Sequence, residues 1–399
     1  MGQDAIKAGV TDGRGGKGIV YVFAAGNEYE AGGNTNFEGY LHSRYVMTVG
    51  AVGMDLLHAS YSSTGASVFV SAPGGDSGDV LGMVTAFPVA TGTSCRNAGS
   101  GTSFATPIVS GVAALMLEAN PNLGWRDVQG IIATTSKMPD DDGDLPRSVN
   151  AAGIGHSYQY GFGIIDAAAA VAAARTWQNY YTETVFTAMA SPGAAIADDG
   201  AFVSSTISGS AAEEFNIETV VVLLTINHPH RGDLRIILER GGVESLLAPD
   251  SREDGDGYAD WKYTTVRHWG EAANGGGDWT LKVADVRARN GPGTFVSWTL
   301  QVHGHAFCVD STSYRDPYYD ETCAEWFGDP CDTGWFADEL KANCPVACGI
   351  CLGRTHWRIC WSHRPQSKRA RRGRRDAKTA SCSVQHPPNA ARATALPSR

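Results

Sequence analysis

Apolar residues follow two different rhythms along this chain. In the first part they come in unbroken runs: GIVYVFAAGN (18–27), YVMTVGAV (45–52) and SVFVSAPGG (67–75). Such runs suit strands of a parallel sheet buried on both faces, the third stopped by Pro73-Gly74-Gly75. The stretch 104–119 is apolar almost all round, as in a helix inside a large protein. GWRDVQGIIATTS (124–136) predicts a second helix and IIDAAAAVAAAR (164–175) a third, with Asp166 as its N-cap. Strands alternating with helices predict α/β layers over residues 1–177.

After the small, polar stretch SPGAAIADDGAFVSSTISGSAAEE (191–214) the period becomes two. Leu234, Ile236 and Leu238 share one face, as do Trp279, Leu281 and Val283, and Trp298, Leu300 and Val302. Turn-rich stretches (DSREDGDGYADW, ANGGGDW, RNGPGTF) separate them. That pattern predicts an antiparallel β-sandwich or jelly roll over 178–305.

Composition adds two further segments. Nine cysteines are unevenly placed: six lie in 308–351, Cys95 stands alone, and Cys360 and Cys382 lie near the end. The dense group reads as a small disulfide-rich module over 306–352, which implies an oxidising compartment. Residues 352–399 hold 12 of the 32 Lys and Arg but one of the 42 Asp and Glu, so the tail carries +11 and the remainder −21. An acidic body argues against nucleic-acid binding by the folded part, and the tail from 353 onward lacks apolar periodicity and reads as disordered. The longest purely apolar run, AAAAVAAA (167–174), is far short of the roughly 20 residues a membrane span needs. The first residues, MGQDAIKAGVTDGRGG, contain no apolar core of a signal peptide. Either the protein stays inside the cell or the chain lacks its true start.

The chemistry concentrates in NAGSGTSFATPIVSGVAALMLEANP (97–121). Ser103 stands where a Gly-Thr-Ser turn opens onto a helix. Backbone N–H groups and the positive end of the helix dipole lie near such a serine, and they can stabilise an oxyanion on a carbonyl that the hydroxyl attacks. Taken alone the triplet reads as a helix cap. Gly92-Thr93-Ser94 is the same triplet with no helix after it.

GTSFATPIVSGVAALMLEANPNLGWRDVQGII resembles the nucleophile segment of subtilisin-like serine proteases. LEANPNLGWRDVQ and GHSYQYGFGIIDAAAAV (155–171) resemble the kexin/furin branch, the proprotein convertases. HRGDLRIILER, DWKYTTVRHWGE and GTFVSWTLQVHG are similar to the P domain, the β-sandwich that follows the protease in that branch. The resemblance covers roughly 1–305 and implies an endopeptidase acting on proteins or propeptides as a monomer in the secretory pathway or outside the cell. It makes Ser103 the nucleophile and Asn27, closing VFAAGN, the side-chain donor of the oxyanion hole. Without the resemblance Asn27 is a turn residue after a strand.

A serine nucleophile needs a base and a group that orients the base. In this family the order is Asp in D-[ST]-G, His in H-G-[TR], Asn, Ser. Only 26 residues precede Asn27 and neither motif is among them. Asp76-Ser77-Gly78 follows the Asn and reads as a surface turn; His303-Gly304 and His156 read as structural. The chain thus reads as starting partway through a protease domain, either as a piece of a longer enzyme or as an inactive truncated protein. The unpaired sheet edge of a half-domain favours the first. The rival class is a non-catalytic secreted binding protein made of a P domain and the cysteine module. Cys95 corresponds to a cysteine that furin-like enzymes pair upstream, and here it is left unpaired.

NTNFEGY (34–40) aligns with the segment that lines the convertases' primary specificity pocket, and puts Glu38 where the family has Asp. Preference for Arg or Lys before the cut follows from the resemblance; taken alone Glu38 is an exposed loop glutamate. The family binds structural calcium beneath this pocket, which makes a structural calcium possible here, although the matching positions read Gly33 and Ser63, and positions that hold a disulfide in furin read Thr35 and Gly65. The acidic loops DDDGD (140–144) and DSREDGDGYAD (250–260) read as solvated loops rather than calcium sites, without the EF-hand register. Arg231-Gly232-Asp233 starts a P-domain strand in the convertases and is an adhesion tripeptide otherwise. The segment ending in CPVACGIC resembles the ShK-toxin-like module, which selects the pairings Cys308–Cys351, Cys323–Cys344 and Cys331–Cys348. Zinc is the rival, without paired C-x2-C knuckles. Channel block, which in toxins needs a Lys-Tyr pair, meets Asp338 and Glu339 here. KRARRGRR in the tail reads as a flexible secretory segment with a dibasic site, a polyanion strip or a nuclear signal.

Overall fold

The computed structural model describes residues 2–306, except 79–81, 90–91, 98, 140–146, 181, 213, 252–254 and 288–290, together with Arg315. The cysteine module with its three pairings, the basic tail and the 140–144 loop lie outside the described residues. All described residues fall in one compact unit, Met1–Thr355.

The chain opens with helix α1 (Gly2–Gly16), whose backbone leaves helical geometry at Gly13 and which buries Ile6 and Val10. Strands β1 (Tyr21–Ala24), β2 (Val46–Val52) and β3 (Val68–Pro73) form a parallel sheet in that order, with Tyr21 opposite Val46. Every residue of β2 is buried, as an unbroken apolar run requires. A hairpin of β4 (Val84–Val89) and β5 (Gly92–Asn97) comes next. The helices α2 (Thr102–Ala119) and α3 (Trp125–Thr135) follow, then a small hairpin of β6 (Arg147–Val149) and β7 (Gly155–Ser157), and helix α4 (Ala167–Ala174). Asp166 caps α4 as predicted: its Oδ1 accepts the Ala169 N–H at 2.9 Å.

Helix α2 packs on β1, β2, β3 and α4. It departs from the expectation of burial on all sides. Ala105, Val109, Val112 and Met116 are buried, whereas Ser103, Pro107, Ser110 and Leu115 are exposed. The reason is compositional. Small residues and hydroxyls raise mean apolarity without requiring burial, so a helix resting one face on a sheet reads much like a fully enclosed one. By length and apolarity α2 meets the threshold for a membrane span, but it lies along the sheet.

The remaining strands are β8 (Glu183–Ala190), β9 (Ala194–Ile196), β10 (Val203–Ile207), β11 (Phe215–Asn227), β12 (Leu234–Arg240), β13 (Val243–Ala248), β14 (Tyr258–Thr265), β15 (Trp279–Asp285) and β16 (Gly293–Ala306). They pair antiparallel in two sheets, β10-β15-β12-β13 and β14-β11-β16-β8, with β9 on β16. The three period-two faces meet in one core, where Leu234, Leu281, Trp279, Trp298 and Leu300 are almost wholly buried.

The two cores exchange residues. Val266 and Trp269, just after β14, are buried in the α/β core, Trp269 lying edge-on to Phe69 at 5.6 Å. Ala66 and Tyr158 join the sandwich core in return. Two bidentate ion pairs fasten the same boundary. Arg126 of α3 clasps Glu218 of β11, with Nε 2.8 Å from Oε2, and Arg44 meets Glu183 of β8 at 2.6 Å. His305 and His303 of β16 each bond one of these carboxylates, at 2.7 and 3.2 Å. Burial raises the Glu218 carboxyl, but its bonds to Arg126 and His305 outweigh this and hold it below the usual carboxylate range.

Buried histidines give the fold a definite pH response. Burial, reinforced by Lys262, pushes His42 down to about 4, and burial with the Arg267 charge pushes His156 down to about 3. In the unfolded chain both protonate near the ordinary value of about 6.5. Between that value and the folded one the unfolded state binds more protons, so stability falls as pH falls. Glu218, held low, adds to the loss only below its usual range of about 4.3. The melting temperature is therefore expected to drop progressively from pH 7 to pH 5, well before carboxylates titrate. A flat profile over that interval, read by circular dichroism, contradicts it.

Candidate active site

Strand β1 runs out through Ala25 and Gly26 to Asn27, and α2 begins at Thr102. The side-chain oxygen of Asn27 joins them. Its Oδ1 accepts the Thr102 N–H at 3.0 Å and the Thr102 hydroxyl at 2.9 Å. With Oδ1 taken by two donors, the Nδ2 group is left free to donate elsewhere. The backbone N–H of Asn27 donates to Glu28 Oε2 at 2.7 Å.

Gly101 stands before α2 with φ 155° and ψ 151°, a conformation that suits a residue without Cβ. The point where a Cβ would stand is 3.8 Å from Asn27 Nδ2 and 3.8 Å from the backbone N of Ser103. Two N–H donors from distant parts of the chain therefore border one small volume. Ser103 is exposed and occupies the first turn of α2, whose N–H groups have no partner inside the helix. Asn27 Nδ2, the Ser103 backbone amide and the positive end of the helix dipole thus lie close together, at the residue that bears the hydroxyl. An oxygen acquiring negative charge can be held there.

The structure separates the two Gly-Thr-Ser triplets: Gly92-Thr93-Ser94 lies within β5, not at a helix start. Several of the described histidines are engaged elsewhere. His156 Nε2 meets Val68 O at 2.9 Å, His58 Nε2 meets Ser62 O at 3.0 Å, His228 pairs with Asp285 and His268 with Glu271. Asp76 holds a turn, accepting from Ser60 and from the Ser77 N–H. Gly232 and Asp233 are buried in a short turn before β12. Cys95 is free and exposed.

Glu38 lies on the exposed turn that follows buried Asn34, Thr35 and Asn36. A Cβ on Gly65 would overlap Thr35 Oγ1, so these two positions do face each other; Thr35 instead bonds Ser67 Oγ at 2.7 Å. A Cβ on Gly33 would sit 2.7 Å from Ser63 Oγ, and Ser63 Oγ donates to Glu28 Oε2 at 3.4 Å while accepting the Glu28 N–H at 3.2 Å. Calcium takes six to eight oxygens, several from carboxylates. One hydroxyl and one carboxylate already bonded to each other do not fit it. Among the described residues no group of three or more acidic, His or Cys side chains is arranged to hold a metal. Sequence reasoning did not single out Thr102, Gly101 or Glu28. The first two lie within the quoted motif, and their roles depend on a strand 75 residues away.

Residues 2–163 match the subtilase family and residues 217–302 the proprotein convertase P-domain. The chain carries a subtilase domain followed by a P domain. Kexin of Saccharomyces cerevisiae is 36% identical over 322 residues, which cover 78% of this chain and 38% of kexin. The proprotein convertase subtilisin/kexin type 7 of Homo sapiens is 33% identical over 315 residues, covering 76% and 40%. The crystal structure of the serine protease of Aeromonas sobria superposes with a TM-score of 0.64 at 26% identity, covering 72% of this chain and 65% of that one. The chain spans about two fifths of the length of these curated relatives. The α/β layers are the subtilase part and the sandwich is the P domain.

Gly101→Ala tests the geometry without reference to any reaction. A side chain there is strained by φ and stands between the two amides, so the variant is expected to lose about 1–3 kcal/mol in denaturant unfolding. A variant as stable as the parent contradicts the backbone described for the start of α2.

Proposed function

We propose that the complete protein is a serine endopeptidase of the subtilisin/kexin type, processing proteins or propeptides in the secretory pathway or outside the cell. The observation that supports this is that Asn27 Nδ2 and the backbone N of Ser103, the residue that bears the hydroxyl, both lie 3.8 Å from the point where a Cβ on Gly101 would stand. Ser103 Oγ attacks the peptide carbonyl carbon, the C=O π pair moves to oxygen, and that oxygen is held by the two N–H donors. Collapse expels the amine and leaves an acyl-enzyme that water hydrolyses. In this mechanism a histidine base accepts the hydroxyl proton and returns it to the leaving amine, and an aspartate orients the histidine. Glu38 supplies a negative charge for a basic side chain before the cut.

Labelling of the complete protein with a fluorophosphonate tests the nucleophile. Parent protein is expected to label and Ser103→Ala is not. Absence of labelling in a folded parent favours the non-catalytic binding protein. Asn27→Ala is expected to lower kcat by about 10²–10³ with KM little changed, the size of effect known for the corresponding donor in subtilisin. Glu38→Gln is expected to reduce kcat/KM for arginine substrates by roughly tenfold or more and to spare neutral ones.

A further inference from the structure

The geometry points to Asn36 as a positioning residue through which the P domain holds the segment that carries Glu38; this rests on the reading of Glu38 given above. Asn36 belongs to the subtilase part of the chain and has no exposed surface. Its side chain is inserted between two P-domain strands. Nδ2 donates to the carbonyl of Leu247 on β13 and to the carbonyl of Thr264 on β14, both at 3.1 Å. Oδ1 accepts the Thr264 N–H at 3.0 Å. The Asn36 carbonyl accepts Trp261 Nε1–H, also on β14, at 3.1 Å.

These strands are the end members of the two sheets, β13 of one and β14 of the other. The amide of Asn36 pairs with both main-chain groups of Thr264 as a peptide unit of a neighbouring strand would. One side chain thus covers backbone groups at both sheet edges, which would otherwise need partners of their own. The fastening continues on either side of Glu38. Phe37 packs on the sandwich core, and the His42 carbonyl accepts the Thr264 hydroxyl. Residues 36–42 are therefore pinned to β14 at both ends, while Glu38 between them is exposed. A carboxylate selects a basic side chain only as well as its base is held, because displacement of a charge by about 1 Å is costly.

The complete protease carrying Asn36→Ala or Trp261→Phe, beside Glu38→Gln, tests this with two substrates that differ only in Arg or norleucine before the scissile bond. Asn36→Ala is expected to lower kcat/KM for the Arg substrate by about tenfold, mainly through KM, with much less effect on the norleucine substrate. Trp261→Phe, which keeps a ring but removes one bond, is expected to shift the same ratio by about two- to threefold, and it carries the test if Asn36→Ala fails to fold. Folded Asn36→Ala or Trp261→Phe with an unchanged Arg-to-norleucine ratio overturns the role of Asn36, while Glu38→Gln still collapses that ratio. An unchanged ratio in Glu38→Gln overturns the reading beneath it, and the proposal for Asn36 falls with it.

Discussion

Two hydrogen bonds from Thr102 to the side-chain oxygen of Asn27 tie the end of β1 to the start of α2. Neither element could place the site alone. A strand end leaves an asparagine free to rotate about two torsions, and a helix start offers N–H groups without a partner. Each bond answers both deficiencies. The Oδ1 atom satisfies the first helical N–H, and that same contact fixes the side-chain amide whose Nδ2 borders Gly101. Thr102 is buried while Asn27 is exposed, so the bonds join a buried helix start to a residue that water reaches. The sheet, the burial of β2 and the packing of α2 across the strands keep these two ends at the required spacing.

The second structural constraint is the boundary with the P domain. Trp269 enters the α/β core, Tyr158 enters the sandwich core, and Arg126 and Arg44 hold carboxylates on β11 and β8. A buried ion pair is weak support by itself, because desolvation offsets much of the attraction. Its value here is in register. Bidentate guanidinium forks admit one arrangement of α3 on the sheet, and removal of either partner strands the other charge.

Much of this was legible in the chain because the relevant signals are local. Unbroken runs marked β1, β2 and β3, alternation marked Leu234-Ile236-Leu238 and its counterparts, and Asp166 marked the start of α4. The place of Ser103 at a helix start was legible because a helix start after a glycine turn has its own sequence signature, whereas the roles given to Ser103 and Asn27 came only through the family resemblance. What escaped has a common cause. The hairpin of β4 and β5 carries weak periodicity, helix α1 has few large apolar residues and ends among glycines, and the open face of α2 is masked by small residues. The partner of Asn27 is 75 residues distant and the partners of Asn36 more than 200. No window of sequence contains such a pair. NTNFEGY looks like an ordinary polar loop until β13 and β14 are in place around it.

The departures at this loop bear on why the P domain is so closely joined. Furin, in the resemblance drawn from the sequence, staples this region with a disulfide, and convertases place calcium beneath it; here the positions read Thr35, Gly65, Gly33 and Ser63. Loss of a structural disulfide costs about 2–5 kcal/mol in small domains. In this chain the segment is held by other contacts. Asn36 makes four hydrogen bonds to β13 and β14, and buried bonds contribute about 1 kcal/mol each when all partners are met. That sum falls in the same range, with Phe37 packing added. The two fastenings differ in kind, however. A disulfide acts within the subtilase domain, whereas the Asn36 contacts exist only while β13 and β14 are folded. Local unfolding at the open edge of the sandwich would therefore release the Glu38 segment, and with it the placement of its charge, while leaving the Asn27–Thr102 contact intact.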